Sequence, residues 1–320
     1  TLSHVLSWKS FAKNLRVMFW ADTCLVMNDI FCKNTSILPS FKSKFIPMAL
    51  QIPFIELNND VQMPRLGLGV YAPQQQDEVG QAVESALSLG YRLVDAASIY
   101  GNEREVGQAL KQSGVPRKEL FITSKVWMDD MGYDSTLRAF DKSLKDLALD
   151  YMDLYLIHWP KDQHRKDTWK ALESLYEQGV VKSIGVSNYY QKHLEELFVY
   201  ANVCPAINQI ELSPFCYLPE ELAFCRKNNI QVEGYAPVVR GQKKDHPVLV
   251  DIARKYGKST YQVLIRWVIE QGAITIPKSI QPERMVENAE VFDFQLDEED
   301  LARMAVLYDN TRVAWDPRDF

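Results

Sequence analysis

Eight apolar runs of strand type, each followed by a helical stretch, predict an α/β chain folded as a (β/α)8 TIM barrel. Three observations carry this. Strict alternation of the two periodicities calls for a parallel sheet joined by crossover helices. Eight such units within roughly 260 residues match the size of a closed barrel. Three of the runs end on ionisable residues, Asp95, Lys125 and His158, and a barrel builds its site by delivering polar side chains at the C-terminal ends of its strands. An open doubly wound sheet is the rival. Against it, the Gly-rich strand end Gly67-Leu68-Gly69 lacks the third glycine of a dinucleotide fingerprint and opens no immediate helix.

The elements follow in order. Phe54 to Pro64 reads as a small hairpin with an Asn59-Asp60 turn. Leu66–Val70 is a short buried strand, and Asp77–Leu89 is amphipathic, with Gly90 as its stop. Strand Leu93–Asp95 precedes a helix over Asn102–Gln112. Strand Phe121–Lys125 precedes one that carries Leu137, Phe140, Leu144 and Leu147 at spacings of three and four. Met152–His158 precedes Thr168–Gln178, Val181–Val186 precedes Lys192–Tyr200, and Ala206–Glu211 precedes Glu220–Asn228. Gln231–Tyr235 leads to helices at Val248–Tyr256 and Thr260–Gln271. Ile274–Pro277 leads to Pro282–Asn288, and Asp297–Leu307 forms an extra C-terminal helix.

The bulk numbers narrow the class. Of 320 residues, 47% are hydrophobic and 24% charged, which is ordinary globular composition. A net charge of −6 points away from a nucleic-acid partner. The five cysteines (Cys24, Cys32, Cys204, Cys216, Cys225) form no CxxC pair and are odd in number, so a disulfide framework and a cysteine metal site are both disfavoured. A reducing, cytoplasmic setting is expected. No apolar stretch approaches the roughly 20 residues that span a bilayer. Residues 1–50 stand apart: six Lys/Arg against two acids give them +4, leaving −10 for the other 270 residues. That segment reads as a disordered or organelle-targeting extension, and residues 51–320 as the barrel domain.

The chemistry is argued from Asp95, Tyr100, Lys125 and His158, an acid–base set at neighbouring strand ends. The segments that carry it are Asp95-Ala96-Ala97-Ser98-Ile99-Tyr100-Gly101-Asn102-Glu103, Ser124-Lys125-Val126-Trp127 and Leu154-Tyr155-Leu156-Ile157-His158-Trp159-Pro160. With Leu66-Gly67-Leu68-Gly69, Ile184-Gly185-Val186-Ser187-Asn188 and Ile276-Pro277-Lys278-Ser279, they resemble the aldo-keto reductases, in order, from about Phe54 to Leu307. The resemblance implies NADPH-dependent reduction of a carbonyl. Reduction by hydride places negative charge on the carbonyl oxygen, which a proton donor must meet. Free tyrosine is a weak acid, and a nearby ammonium lowers its pKa. Tyr100 is therefore implied as the acid, Lys125 and Asp95 as its tuning pair, and His158 as the group that orients the substrate.

The resemblance also implies the cofactor contacts. Ser187, Asn188 and Gln209 suit a carboxamide, and Tyr235 looks like the ring that stacks on the nicotinamide. Lys278, Ser279 and Arg284 lie after the last strand, where a lysine and an arginine can neutralise a 2′-phosphate. That favours NADPH over NADH. Glu287 and Asn288 resemble the adenine-side contacts. Tyr71, Trp127 and Trp159 are expected to wall the substrate pocket. Tyr71 stands where the family often has Trp, and Ala96 where it commonly has Thr.

Short loops after Trp159-Pro160 and after the last helix imply an open pocket and small substrates. This is similar to the branch that reduces glyoxal, methylglyoxal, diketo-sugar acids or prostaglandin endoperoxides. A monomer with a small-molecule carbonyl substrate is expected. The rival reading is a non-enzymatic NADPH-binding barrel recruited as a binding or structural subunit. A barrel glycosidase with a carboxylate pair leaves the Tyr–Lys pairing and Lys278-Ser279 unexplained.

Overall fold

The computed structural model describes residues 50–161 and 163–320. The expectation of an N-terminal extension therefore falls almost wholly outside the described residues.

The described residues open with the predicted hairpin, β1 (Phe54–Glu56) antiparallel to β2 (Gln62–Pro64). Asp60 turns it in the left-handed conformation at φ 65°, a region Asp tolerates better than most residues. Leu57 and Met63 of the hairpin join the apolar cluster inside the barrel with Leu93, Phe121, Leu154, Leu156, Ile207 and Ile274. The hairpin thereby plugs one end of the barrel.

Eight parallel strands follow: β3 (Leu68–Gly69), β4 (Leu93–Asp95), β5 (Phe121–Val126), β6 (Met152–Ile157), β7 (Val181–Ser187), β8 (Ile207–Glu211), β9 (Gln231–Tyr235) and β10 (Ile274–Thr275). Each pairs with the next in sequence order. The two ends meet: Gly67 N donates to Thr275 O at 2.9 Å, and Thr275 N to Arg65 O at 3.1 Å. These bonds, with the parallel bridge between Leu66 and Thr275, close the barrel. Closure is tight, since a Cβ on Gly69 would lie 2.8 Å from the Ile276 carbonyl oxygen.

The crossovers are α1 (Val79–Leu89), α2 (Glu103–Gln112), α3 (Tyr133–Leu147), α4 (Arg165–Glu177), α5 (Gln191–Tyr200), α6 (Pro219–Lys227), α7 (Pro247–Tyr256) and α8 (Thr260–Glu270), and α9 (Pro282–Ala289) follows the last strand. The extra helix α10 (Glu298–Ala305) ends the series. Their apolar faces pack on the outward residues of the strands, which gives a second, larger core between barrel and helices. Period-2 alternation in the strands feeds the two cores separately.

The differences from expectation are local. The helix expected from Thr168 begins at Arg165, and the closing strands are shorter than their apolar runs. Pro277, expected within the last strand, has no N–H to donate to a ladder.

Candidate active site

Three of the four predicted acid–base residues come from adjacent strands. Asp95 ends β4, Lys125 lies near the end of β5, and His158 directly follows β6. Tyr100 arrives on a single 3-10 turn, Ser98–Tyr100, after β4. That turn is anchored: Ser98 Oγ donates to Lys125 O at 3.0 Å, and Asn102 Nδ2 to Val70 O at 2.9 Å. Gly101 ends the turn at φ 70°, where a side chain would be strained.

Lys125 is fully buried, and its ammonium donates to both Asp95 oxygens at 2.7 and 2.8 Å and to Ala96 O at 2.8 Å. Its nitrogen lies 5.3 Å from the centroid of the Tyr100 ring. Burial opposes the charge, but Asp95, then Tyr100, hold the ammonium above its ordinary value. Burial pushes the Tyr100 phenol up to about 12, outweighing the downward pull of Lys125, which the Asp95 countercharge itself opposes. This differs from the lowering that a Lys neighbour alone leads one to expect. Desolvation and a neutralised ammonium together win over proximity.

His158 stands edge-on to Tyr100 and to Trp127, with ring centroids 5.7 and 5.1 Å away. Burial, and then Lys125, hold its pKa well below the ordinary value, so the ring is neutral near pH 7. Its buried Nδ1 has no partner among the described residues. A buried lone pair without a partner costs less than a buried N–H without one, which favours the tautomer with its hydrogen on Nε2.

The polar groups assigned to a carboxamide are also gathered. Ser187 Oγ donates to Gln209 O at 2.9 Å and accepts from Asn188 Nδ2 at 3.1 Å. Asn188 Nδ2 also donates to His158 O at 3.0 Å, and its Oδ1 accepts from Tyr235 OH at 2.8 Å. Asn188 reaches this position through a left-handed backbone at φ 63°. Gln209 Nε2 donates to Asp95 Oδ1 and to Glu233 Oε2, both at 2.8 Å. No described residue donates to the Gln209 side-chain oxygen. That oxygen, with lone pairs left on Ser187 Oγ and Asn188 Oδ1, is a donor-poor, acceptor-rich set that fits a carboxamide NH2.

Beyond β10, Lys278 is exposed, and its ammonium donates to Gln75 Oε1 at 2.7 Å. Partial burial of its stem, and then Arg284, lower its pKa against the opposing pull of the Glu78 carboxylate. Neither Lys278 nor Arg284 has a carboxylate ion-pair partner among the described residues. Two cations with no carboxylate in ion-pair contact fit a phosphate. Ser279 is tied to Gln281 by a pair of local bonds. Arg284, Glu287 and Asn288 share α9, with Asn288 buried and Glu287 half-buried.

Tyr71 packs on Tyr100 with ring centroids 5.0 Å apart, and Trp127 and Trp159 stand beyond His158. Sequence reasoning did not name Trp315 as part of this wall, yet its ring lies 6.2 Å from Trp127 and 5.4 Å from Trp159. Phe320 completes the cluster, 5.2 Å from Trp159. The buried Glu211 carboxylate pins the tail by accepting from Val313 N and Ala314 N. Glu233 was missed as well. The available signal was an acid at an inward position of a buried strand.

Comparison with known proteins agrees with this geometry. Residues 65–309 match the Aldo/keto reductase family. The chain is 48% identical over 263 residues to the glyoxal reductase of Bacillus subtilis, covering 82% of this chain and 95% of that protein. It is 46% identical over 270 residues to the 9,11-endoperoxide prostaglandin H2 reductase of Trypanosoma cruzi, covering 83% and 95%. An aldo-keto reductase of Bombyx mori, solved in complex with NADP, superposes with a TM-score of 0.80 at 37% identity, covering 85% of this chain and 98% of that one. The chain belongs to the aldo/keto reductase family, and is an oxidoreductase that uses NADP(H).

Proposed function

We propose that this protein reduces small aldehydes and ketones, glyoxal-type dicarbonyls foremost, with Tyr100 as the proton donor. The observation that carries the reading is the convergence of Tyr100, the Lys125–Asp95 pair and neutral His158 on one rim.

Bound NADPH supplies the hydride. Tyr100, held protonated at neutral pH by burial, gives its proton to the carbonyl oxygen. Lys125, kept charged by Asp95, stabilises the phenolate that remains. His158 donates from Nε2 to the same oxygen and sets its direction. Gln209, Ser187 and Asn188 would hold the carboxamide, Tyr235 would stack on the nicotinamide ring, and Lys278 with Arg284 would take the 2′-phosphate. Ser279, Glu287 and Asn288 would complete the adenosine side. Tyr71, Trp127 and Trp159, joined by Trp315, limit water around the carbonyl.

The similarity to a glyoxal reductase and the short loops support a small, polar substrate. The barrel domain, residues 51–320, is assigned as the catalytic unit, working as a monomer in a reducing compartment, where Cys204, Cys216 and Cys225 remain free thiols. Light scattering after size exclusion reads the oligomeric state.

The test follows NADPH absorbance with glyoxal, methylglyoxal and a prostaglandin endoperoxide. Tyr100→Phe is expected to lower kcat by about 10²–10⁴-fold, the usual worth of a general acid. Equal rates in variant and wild type would remove Tyr100 from its role. NADPH binding without turnover of any carbonyl would favour a recruited binding protein instead.

A further inference from the structure

Glu233 is a barrel-interior carboxyl to which the chemistry above gives no part. It sits in the middle of β9, fully buried, register-paired with Gln209 of β8 and with Ile274 of β10. Its Oε2 accepts from Gln209 Nε2 at 2.8 Å, and its Oε1 has no partner among the described residues. The same Nε2 sends its other hydrogen across the barrel to Asp95 Oδ1, also at 2.8 Å. Asp95 in turn holds Lys125. The Gln209 amide thus spends both hydrogens on two carboxyl groups that approach from different strands. A flipped amide would set its oxygen against the Asp95 carboxylate, a repulsive arrangement in a low-dielectric interior.

We propose that Glu233 is a positioning residue: with Asp95 it clamps the Gln209 amide so that the carbonyl oxygen is the end offered to the cofactor's carboxamide. This rests on the reading of Gln209 as a carboxamide contact. The charged groups that face Glu233 are Asp95 from β4 and Lys125 from β5, while its strand neighbours Gln209 and Ile274 are neutral. Burial, then Asp95, pushes the Glu233 carboxyl up to about 8. A carboxamide that donates to the Gln209 oxygen polarises that amide and strengthens its N–H donors. Cofactor binding therefore favours ionised Glu233.

NADPH affinity, read by quenching of tryptophan fluorescence, tests this in Glu233→Met, Glu233→Gln and Gln209→Met, with thermal unfolding recorded for each. Glu233→Met is expected to weaken NADPH about tenfold through loss of one hydrogen bond to the amide. Glu233→Gln, which keeps an acceptor oxygen, is expected to recover most of that loss. Affinity in Glu233→Met equal to wild type, with Gln209→Met weakened, overturns the positioning role and leaves the Gln209 contact standing. Unchanged affinity in Gln209→Met overturns the contact itself. If Glu233→Met does not fold, infrared titration of the wild type decides. The carboxylic C=O band identified by its loss in Glu233→Gln is expected to titrate near pH 8 and at lower pH with NADPH bound. A midpoint that NADPH does not move overturns the proposal.

Discussion

Replacing Lys125 by Met removes the charge and keeps much of the side chain's length, and two separate quantities should respond. The first is rate. A unit charge 5.3 Å from the Tyr100 ring centroid is worth about 3 kcal/mol at an effective dielectric of about 20. Asp95, bonded to that ammonium at 2.7 Å, cancels part of the field at the phenolate. A net loss of about 1–2 kcal/mol remains, or roughly 5–30-fold in kcat. The second is stability. The Asp95 carboxylate, buried and left with Gln209 as its remaining side-chain donor, becomes an unpaired charge, a defect of about 3–5 kcal/mol. NADPH-linked glyoxal reduction gives the first number and urea unfolding the second. Adding Asp95→Asn should restore much of the stability, since the orphaned charge is gone, but not the rate. A folded Lys125→Met enzyme with wild-type kcat would refute the tuning argument, and one with wild-type urea midpoint would refute the account of the buried pair.

Three further outcomes follow from the structure. Glu233 has a folded-state pKa raised from 4.5 to about 8, so its contribution to stability is fully present below pH 4.5 and is lost as pH rises through 8. The urea midpoint of the wild type should fall over that window by more than that of Glu233→Gln, and parallel curves would contradict the burial argument. Lys278→Ala and Arg284→Ala should each weaken NADPH by about tenfold and leave NADH nearly unchanged, because the phosphate proposed as their partner is absent from NADH. Equal effects on both cofactors would place the 2′-phosphate elsewhere. A chain starting at Leu50 should keep kcat/KM for glyoxal within about twofold, since the acid–base and cofactor residues all lie beyond that point; a loss greater than about tenfold would make residues 1–49 part of the working enzyme.

Much of the fold was legible because each element's own residues decide it. Leu137, Phe140, Leu144 and Leu147 repeat at helical spacing, and α3 covers them all. Met152-Asp153-Leu154-Tyr155-Leu156-Ile157 is a strand buried on both faces, as the apolar run suggested. The candidate residues were readable as strand-end positions, and the tertiary structure gathers Asp95, Tyr100, Lys125 and His158 around one rim. The aromatic wall was only half legible. Trp127 and Trp159 sit beside recognisable strand ends, whereas Trp315 reaches them from a tail that Glu211 fixes through Val313 N and Ala314 N. Such a contact, between residues about a hundred apart, leaves no local pattern.

The sequence by itself determined the alternation of strands and helices, the placing of Asp95, Lys125 and His158 at strand ends and the family, because periodicity and motif are properties of neighbouring residues. Tertiary structure alone decided the closure of Leu66 against Thr275 and the clamp that joins Glu233, Gln209 and Asp95. It also decided the acidity of Tyr100. Neighbour charge argued for a lowered phenol, but desolvation and the Asp95 countercharge raise it. The energy of a charge depends on what surrounds it in three dimensions, and no spacing along the chain encodes that directly.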